Sequence, residues 1–295
     1  MHKNLSAYLQ MTLAMAIVGS SVVAGKLIVA SFPVFLSSGM RFAISSLMLV
    51  PLMLKLEKGF VPVSKREWAI LFLQALTGVF LFNIFLLYGV KFTGAVESGI
   101  ITSTTPAMVG IISFLFLKER LSLTKSLGIL FTVLGILMFN LIGITKTESG
   151  VFPLLGNLLI FGAVIGEALF TILRKVLPDT VSPLSAATLM SFLGFLMFLP
   201  LTVYEALSFD FSAVSLRDWL YILYFGIVAT VVAYILWFQG VAKVPASTAA
   251  VFTGVMPVSA VLLAYIVLNE PLYWAHILGG LCVLIGIGFI TKQNP

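Results

Sequence analysis

Apolar residues run down this chain in long blocks, each closed by charges, proline or glycine. A helix that crosses ~30 Å of hydrocarbon needs about 20 residues, and blocks of that length recur along the sequence. They predict membrane-spanning helices at 8–30, 34–54, 68–90, 95–117, 123–142, 152–173, 182–204, 217–239, 246–268 and 272–291. The connections are short, the longest covering 55–66 and 205–216, so no soluble domain fits between the spans. The expected fold is an all-α membrane protein of ten transmembrane helices, with its function housed among them.

Composition agrees, since 60% of residues are hydrophobic, 9% are charged and the mean hydropathy is +1.15. That leaves too few ionisable groups to cover a water-soluble globule of 295 residues. The stretch Ser20-Ser21-Val22-Val23-Ala24 imitates the end of a signal peptide, but its apolar run continues to Ala30 and has an internal counterpart in the second half, so it reads as a span. Cys282 is the one cysteine and lies in an apolar run, and His2 and His276 are the only histidines, which leaves no metal-ligand cluster and no expected cofactor.

The net charge of +6 sits in short clusters between spans, which argues against a nucleic-acid surface. With the N-terminus inside, the inner loops hold Lys3, Lys55, Lys58, Lys65, Arg66, Lys118, Arg120, Lys125, Arg174, Lys175, Lys243 and Lys292. The outer side holds only Lys26, Lys91, Lys146 and Arg217, and Arg41 lies within a span. Cytoplasmic loops retain positive charge, so both termini are expected in the cytoplasm and the membrane is the cell (inner) membrane.

The sequence also matches itself. At a shift of 151 positions Glu67-Trp68 meets Asp218-Trp219, Gly89-Val90 meets Gly240-Val241, Pro106 meets Pro257, and Leu117-Lys118-Glu119 meets Leu268-Asn269-Glu270. Gly128 and Gly135 then fall on Gly279 and Gly286, while Leu47-Met48 and Pro51-Leu52 match Leu196-Met197 and Pro200-Leu201 at a shift of 149. Two units follow, 1–147 and 148–295. Each holds an odd number of spans, so the second enters the membrane inverted. Lys118, Arg120 and Lys125 become Asn269, Pro271 and His276 in the outward-facing copy, as the charge bias requires. Two such bundles can exchange conformations, which is the mechanical requirement of an alternating-access carrier.

These residues resemble a known family. Val18-Gly19-Ser20 with Lys26, Pro33 and Arg41-Phe42 is similar to the opening of an EamA-type half in the drug/metabolite transporter superfamily. The later order of Pro106, Leu117-Lys118-Glu119-Arg120-Leu121, Gly128 and Gly135 is similar too, with its echo at Pro257, 268–272, Gly279 and Gly286. The second half departs at its start, where Glu167 stands in the stretch matching Ser20 and no arginine aligns with Arg41. The resemblance implies a ten-helix bundle whose central cavity is lined by spans 1–4 and 6–9, with spans 5 and 10 peripheral. It also implies a carrier of small molecules, export being favoured over uptake.

An ionisable side chain inside a span is costly unless paired or wetted, so each is a candidate. Glu167 lies roughly 22 Å along its span at ~1.5 Å per residue. It is either a cavity carboxylate that binds an ammonium or takes up a proton, or a structural hydrogen-bonding group. Arg41, about 10 Å into span 2, either clamps a substrate carboxylate or phosphate with its planar fork, or pairs with Glu97, or caps carbonyls near the outer surface. Glu97 and Lys26 join the same candidate constellation, their alternatives being an outer ion pair and snorkelling to the interface.

Uncharged candidates for substrate contact are Asn83, Tyr234, Trp237 and Gln239. The repeat sets Asn83 opposite Tyr234, one polar contact from each half, and Trp237 offers a stacking surface unless it faces lipid. Pro106 and Pro257 stand midway in spans 4 and 9, where each bends its helix and serves as a gate hinge or a packing kink. The glycines of spans 5 and 10 give smooth faces for scaffold packing or for a homodimer. Glu119 and Glu270 are placed for helix capping.

Rival classes are a channel or lipid flippase of the same fold and, remotely, a membrane-embedded enzyme. For the last the chain offers no paired aspartates on one helix, no HExxH and no serine–histidine partnership. It also has no GxxxxGK[ST] loop for ATP, so energy coupling is expected to be proton-linked or facilitated.

Overall fold

The structure, a computed structural model, describes residues 2–57, 63–93, 98, 101–140, 152–178, 180–269 and 272–292. Its elements are helices throughout, with no strand among the described residues. They are α1 (His2–Val29), α2 (Val34–Leu56), α3 (Lys65–Ala75), α4 (Phe82–Thr93), α5 (Thr105–Leu117), α6 (Leu123–Asn140) and α7 (Pro153–Val176). The chain continues through α8 (Pro183–Ala206), α9 (Leu216–Gly226), α10 (Ala233–Lys243), α11 (Ala246–Phe252), α12 (Val255–Leu268) and α13 (Trp274–Lys292). Among the described residues, seven helical stretches are long and apolar enough to cross a membrane, and three shorter apolar helices lie at Thr105–Leu117, Leu123–Met138 and Trp274–Ile290.

Local chemistry explains where helices start and stop, and it repeats. Ser64 and Glu67 form a reciprocal capping box at the start of α3, and Ser215 and Asp218 form the same box at the start of α9. Each of these helices runs into a π-helical segment, Leu76–Leu81 after α3 and Ile227–Val232 after α9. Helices α5 and α12 both end on a left-handed residue, Lys118 and Asn269, with φ of 54° in each. All three pairs stand 151 positions apart.

Packing is antiparallel between elements distant in sequence. In α6 and α13 a Cβ on Gly135 would come within 2.7 Å of the Gly279 carbonyl oxygen, and one on Gly286 within 2.7 Å of the Gly128 carbonyl oxygen. The glycine faces therefore meet each other within the chain. In α2 and α8 the end of each helix holds the start of the other: the Glu57 carboxylate accepts from the hydroxyls of Ser182 and Ser185, and Glu205 accepts from the Leu36 N–H at 2.7 Å. Gly89 of α4 abuts Ile160 of α7, and Gly240 of α10 abuts Met11 of α1.

The largest apolar cluster closes the end of the bundle that carries Lys55, Lys65 and Lys243. It gathers Tyr8, Met11, Leu49, Leu71, Trp237, Phe238 and Phe252, with Tyr8 stacked on Phe252 at 5.3 Å. Large apolar side chains on the outer faces stay exposed, including Leu281 and Leu284 on α13 and Leu130 and Leu134 on α6. Lipid is the solvent those faces suit. Trp68 is exposed as an interface residue would be, whereas Trp219 packs edge-on to Phe32 at 5.4 Å.

Candidate functional site

Of the ionisable groups that the sequence places within spans, the side chains of Arg41 on α2 and Glu167 on α7 are described, and Tyr234 of α10 lies near the first. Arg41 projects from α2 beside the second π segment, where Gly226 packs against Ile44 and the Arg41 carbonyl. Its guanidinium carbon lies 4.3 Å from the ring centre of Phe42 and 4.7 Å from that of Phe225. Its Nε is sealed from solvent with no hydrogen-bond partner, and no described carboxylate pairs with the group. Tyr234, two residues past the π segment, interacts electrostatically with Arg41, and its ring lies 5.8 Å from Phe170 and 5.9 Å from Phe238.

The π segments aim these side chains. An added residue in a helical turn rotates everything after it and leaves one carbonyl without its usual donor. In the second segment the Thr230 hydroxyl donates to the Phe225 carbonyl at 2.8 Å. In the first, Asn83 Nδ2 donates to the Val79 carbonyl at 2.5 Å. Asn83 thus spends a donor on its own helix, so the pairing of Asn83 with Tyr234 is one of backbone position more than of shared chemistry.

Glu167 stands midway along α7 and accepts a hydrogen bond from the Thr105 hydroxyl at 3.2 Å. Thr105 opens α5 directly after a turn at 103–104, so the carboxylate sits beside a helix N-terminus, whose field favours a negative charge. Pro106 is the second residue of α5, and Pro257 the third of α12 after a matching turn at 253–254. The two prolines therefore mark interrupted helices, not bends in continuous ones. Arg41, Glu167 and Tyr234 are each surrounded by protein yet keep part of their surface accessible.

The other expected site residues lie elsewhere. Trp237 is 4% exposed inside the main apolar cluster, with its stacking faces covered. Gln239 accepts from Gln10 Nε2 at 2.8 Å, and Gln10 in turn accepts from Lys243 Nζ at 2.9 Å, which ties α10 to α1 near the lysine-bearing end. Glu97 and Glu270 lie outside the described residues, and so does the side chain of Lys26, whose backbone belongs to α1.

Sequence reasoning missed Thr105 and Gln74, whose Nε2 donates to the Phe170 carbonyl at 2.7 Å while its Oε1 stays sealed and unbonded. It also missed the contact between Ser20 of α1 and Tyr224 of α9 at 2.5 Å. A polar residue in an apolar helix, as Gln74 is, was the available signal.

Glu119 is placed as a capping residue. Its carboxylate accepts from the Ala246 N–H at 2.8 Å, the Ser247 N–H at 3.2 Å and the Ser247 hydroxyl at 2.7 Å, at the first turn of α11. Partial burial works to raise its pKa, but these bonds, led by the Ser247 hydroxyl, outweigh burial and hold it below the usual carboxylate value.

Comparison with known proteins places this architecture. Residues 5–141 and 154–292 each match the EamA-like transporter family. The chain is 49% identical to the uncharacterized transporter YetK of Bacillus subtilis (strain 168), over 99% of this chain and 89% of that protein. It is 23% identical to the uncharacterized transporter YyaM of the same organism, covering 97% of this chain and 93% of the relative. A solved crystal structure superposes with a TM-score of 0.78 at 15% identity, covering 98% of both chains, and so shares the fold. The chain belongs to the EamA-like transporter family and is a multi-pass membrane transporter.

Proposed function

We propose that this protein is a secondary transporter, not an enzyme, that moves small polar or amphiphilic metabolites, amino acids or related compounds among them, across the inner membrane by alternating access. It works as an exporter, with both termini in the cytoplasm, and consists of two inverted five-helix repeats, 1–147 and 148–295, around a central cavity. Export as the direction rests on the family resemblance.

One observation carries the reading: contacts between the two halves occur as exchanged pairs. Gly135 against Gly279 is the image of Gly286 against Gly128 at a shift of 151. Gly89 on Ile160 is the image of Gly240 on Met11, at shifts of 151 and 149. Glu57 with Ser185 and Glu205 with Leu36 correspond to within one residue. Such exchange follows from an in-plane twofold axis, and it lets each half take up the other's packing as the carrier reverses. Arg41, Glu167 and Tyr234 each keep part of their surface accessible, and that supports the cavity. Glu167, held by Thr105, is the proton-carrying candidate, and Pro106 and Pro257 with their turns are the gate hinges.

Reconstituted protein in liposomes should show saturable flux that unlabelled solute on the opposite side accelerates. Glu167→Gln should flatten the pH dependence of that flux while leaving countertransport exchange intact. A linear, non-saturating flux would indicate a channel, and scrambling of labelled lipid a flippase.

A further inference from the structure

We propose that the transported solute is a small organic anion with an apolar body, and that the Arg41 fork receives its planar anionic group. The inference rests on the carrier reading above and narrows its solute to an organic anion, in place of the amino acids named there.

The guanidinium is a fixed positive charge within a span. Among the described residues it has no carboxylate partner, and its Nε is sealed and unbonded. A buried cation without a counter-charge is strongly unfavourable, and a protein retains one where something else supplies the anion. The rings of Phe42 and Phe225 stabilise the cation from its faces. With Nε sealed, the two Nη groups are the donors left for a carboxylate, which they can meet with two N–H bonds.

The surroundings describe the rest of the solute. Phe42 and Phe198 are fully buried against each other at 5.9 Å, and the partly accessible rings beside them are Phe80, edge-on to Phe198 at 5.1 Å, and Phe225, 4.7 Å from the guanidinium carbon. The Tyr234 hydroxyl is one nearby polar group in this aromatic setting, which suits an apolar body better than a sugar, whose many hydroxyls would go unpaired.

The interior also disfavours a zwitterion. On an α-amino acid the ammonium lies a few ångströms from the carboxylate, so it needs a counter-charge close to Arg41. Glu167 is engaged elsewhere, since its carboxylate accepts from the Thr105 hydroxyl of α5 at 3.2 Å, and no described carboxylate pairs with Arg41.

The test uses the purified transporter in detergent and in liposomes, with phenylacetate, benzoate, phenylalanine and phenethylamine as probes at matched concentrations near neutral pH. The two anions should raise the thermal unfolding temperature, and the zwitterion and the cation should do so much less. Arg41→Gln should weaken the apparent affinity for phenylacetate about 30-fold or more, the loss expected when one partner of a buried charge pair is removed. Arg41→Lys keeps the charge without the fork and should fall between; if Arg41→Gln does not fold, unchanged phenylacetate binding by Arg41→Lys overturns the proposal.

Stabilisation by phenethylamine or phenylalanine that survives Arg41→Gln overturns the anion assignment, and countertransport of that compound would leave the carrier reading standing. No stabilisation by either anion overturns it as well. Anion binding that Arg41→Gln removes supports the assignment even where no probe shows trans-stimulated flux, a result that would instead fail the carrier reading.

Discussion

Glu119 bonds across the molecule, joining the loop after α5 to the first turn of α11, more than a hundred residues away. Both carboxylate oxygens are used, and a charged acceptor at a helix start satisfies N–H groups that have no partner within the helix. Its pKa lies below the ordinary 4.5, because the bonds from Ser247 and Ala246 favour the ionised form more than partial burial disfavours it. A group depressed in the folded state contributes stability in full above its unfolded value, and that contribution fades as pH falls through the lower folded value. Replacing Glu119 with alanine should therefore cost about 1–2 kcal/mol near neutral pH. The gap between wild type and variant should close on acidification below the ordinary carboxylate range. Thermal unfolding of the two proteins across a pH series checks this, and a gap independent of pH would show that the bonds are not the source.

At the scale of helices, glycines separate contact faces from lipid faces. Gly135 of α6 meets the Gly279 carbonyl oxygen and the Val283 nitrogen, at 2.7 and 3.0 Å from where a Cβ would stand, and backbone atoms cannot give way. Gly280 of α13 has nothing within 4 Å of the same point. Gly135→Ala should thus destabilise by about 1–3 kcal/mol, while Gly280→Ala should be neutral or stabilising by up to about 1 kcal/mol. Unfolding in detergent compares the two, and equal effects would contradict the packed α6–α13 face.

The helices themselves were legible in the sequence, because lipid selects an apolar run whatever its neighbours: 34–54 was expected against Val34–Leu56, and 152–173 against Pro153–Val176. Their inner faces were not. A helix that is apolar all round carries no periodic mark of which side meets protein, so Trp237 reads as a stacking surface and proves to be packed in the main cluster. Arg41, Glu167 and Tyr234 stood out because a polar group in such a helix is costly wherever it points. The π segments and the turns at 103–104 and 253–254 were not legible either, since they depend on which donors reach the released carbonyls. Thr230 bonds the Phe225 carbonyl and Asn83 the Val79 carbonyl, yet Thr230 looks like an ordinary span residue and Asn83 reads as a substrate contact.

Across the whole molecule, the lysine-bearing end is the closed one, plugged by the apolar cluster around Trp237 and tied by Gln10 to Gln239. Under alternating access, solute uptake from that side requires α1 and α10 to part there, breaking both the amide pair and the contact of Gly240 on Met11. The twofold image of that contact, Gly89 on Ile160 between α4 and α7, must part in the opposite half-cycle. A tether across the first contact should therefore stop turnover without unfolding anything. In a Cys282→Ser background, Gln10→Cys with Gln239→Cys should lose counterflow when a short reversible thiol cross-linker joins them, and a reductant should restore it to the uncross-linked level. Each single-cysteine protein treated the same way should keep its flux. Undiminished counterflow in the fully cross-linked protein would mean that the end closed in this structure never opens, and the two halves would then be a fixed scaffold, not a reversible pair.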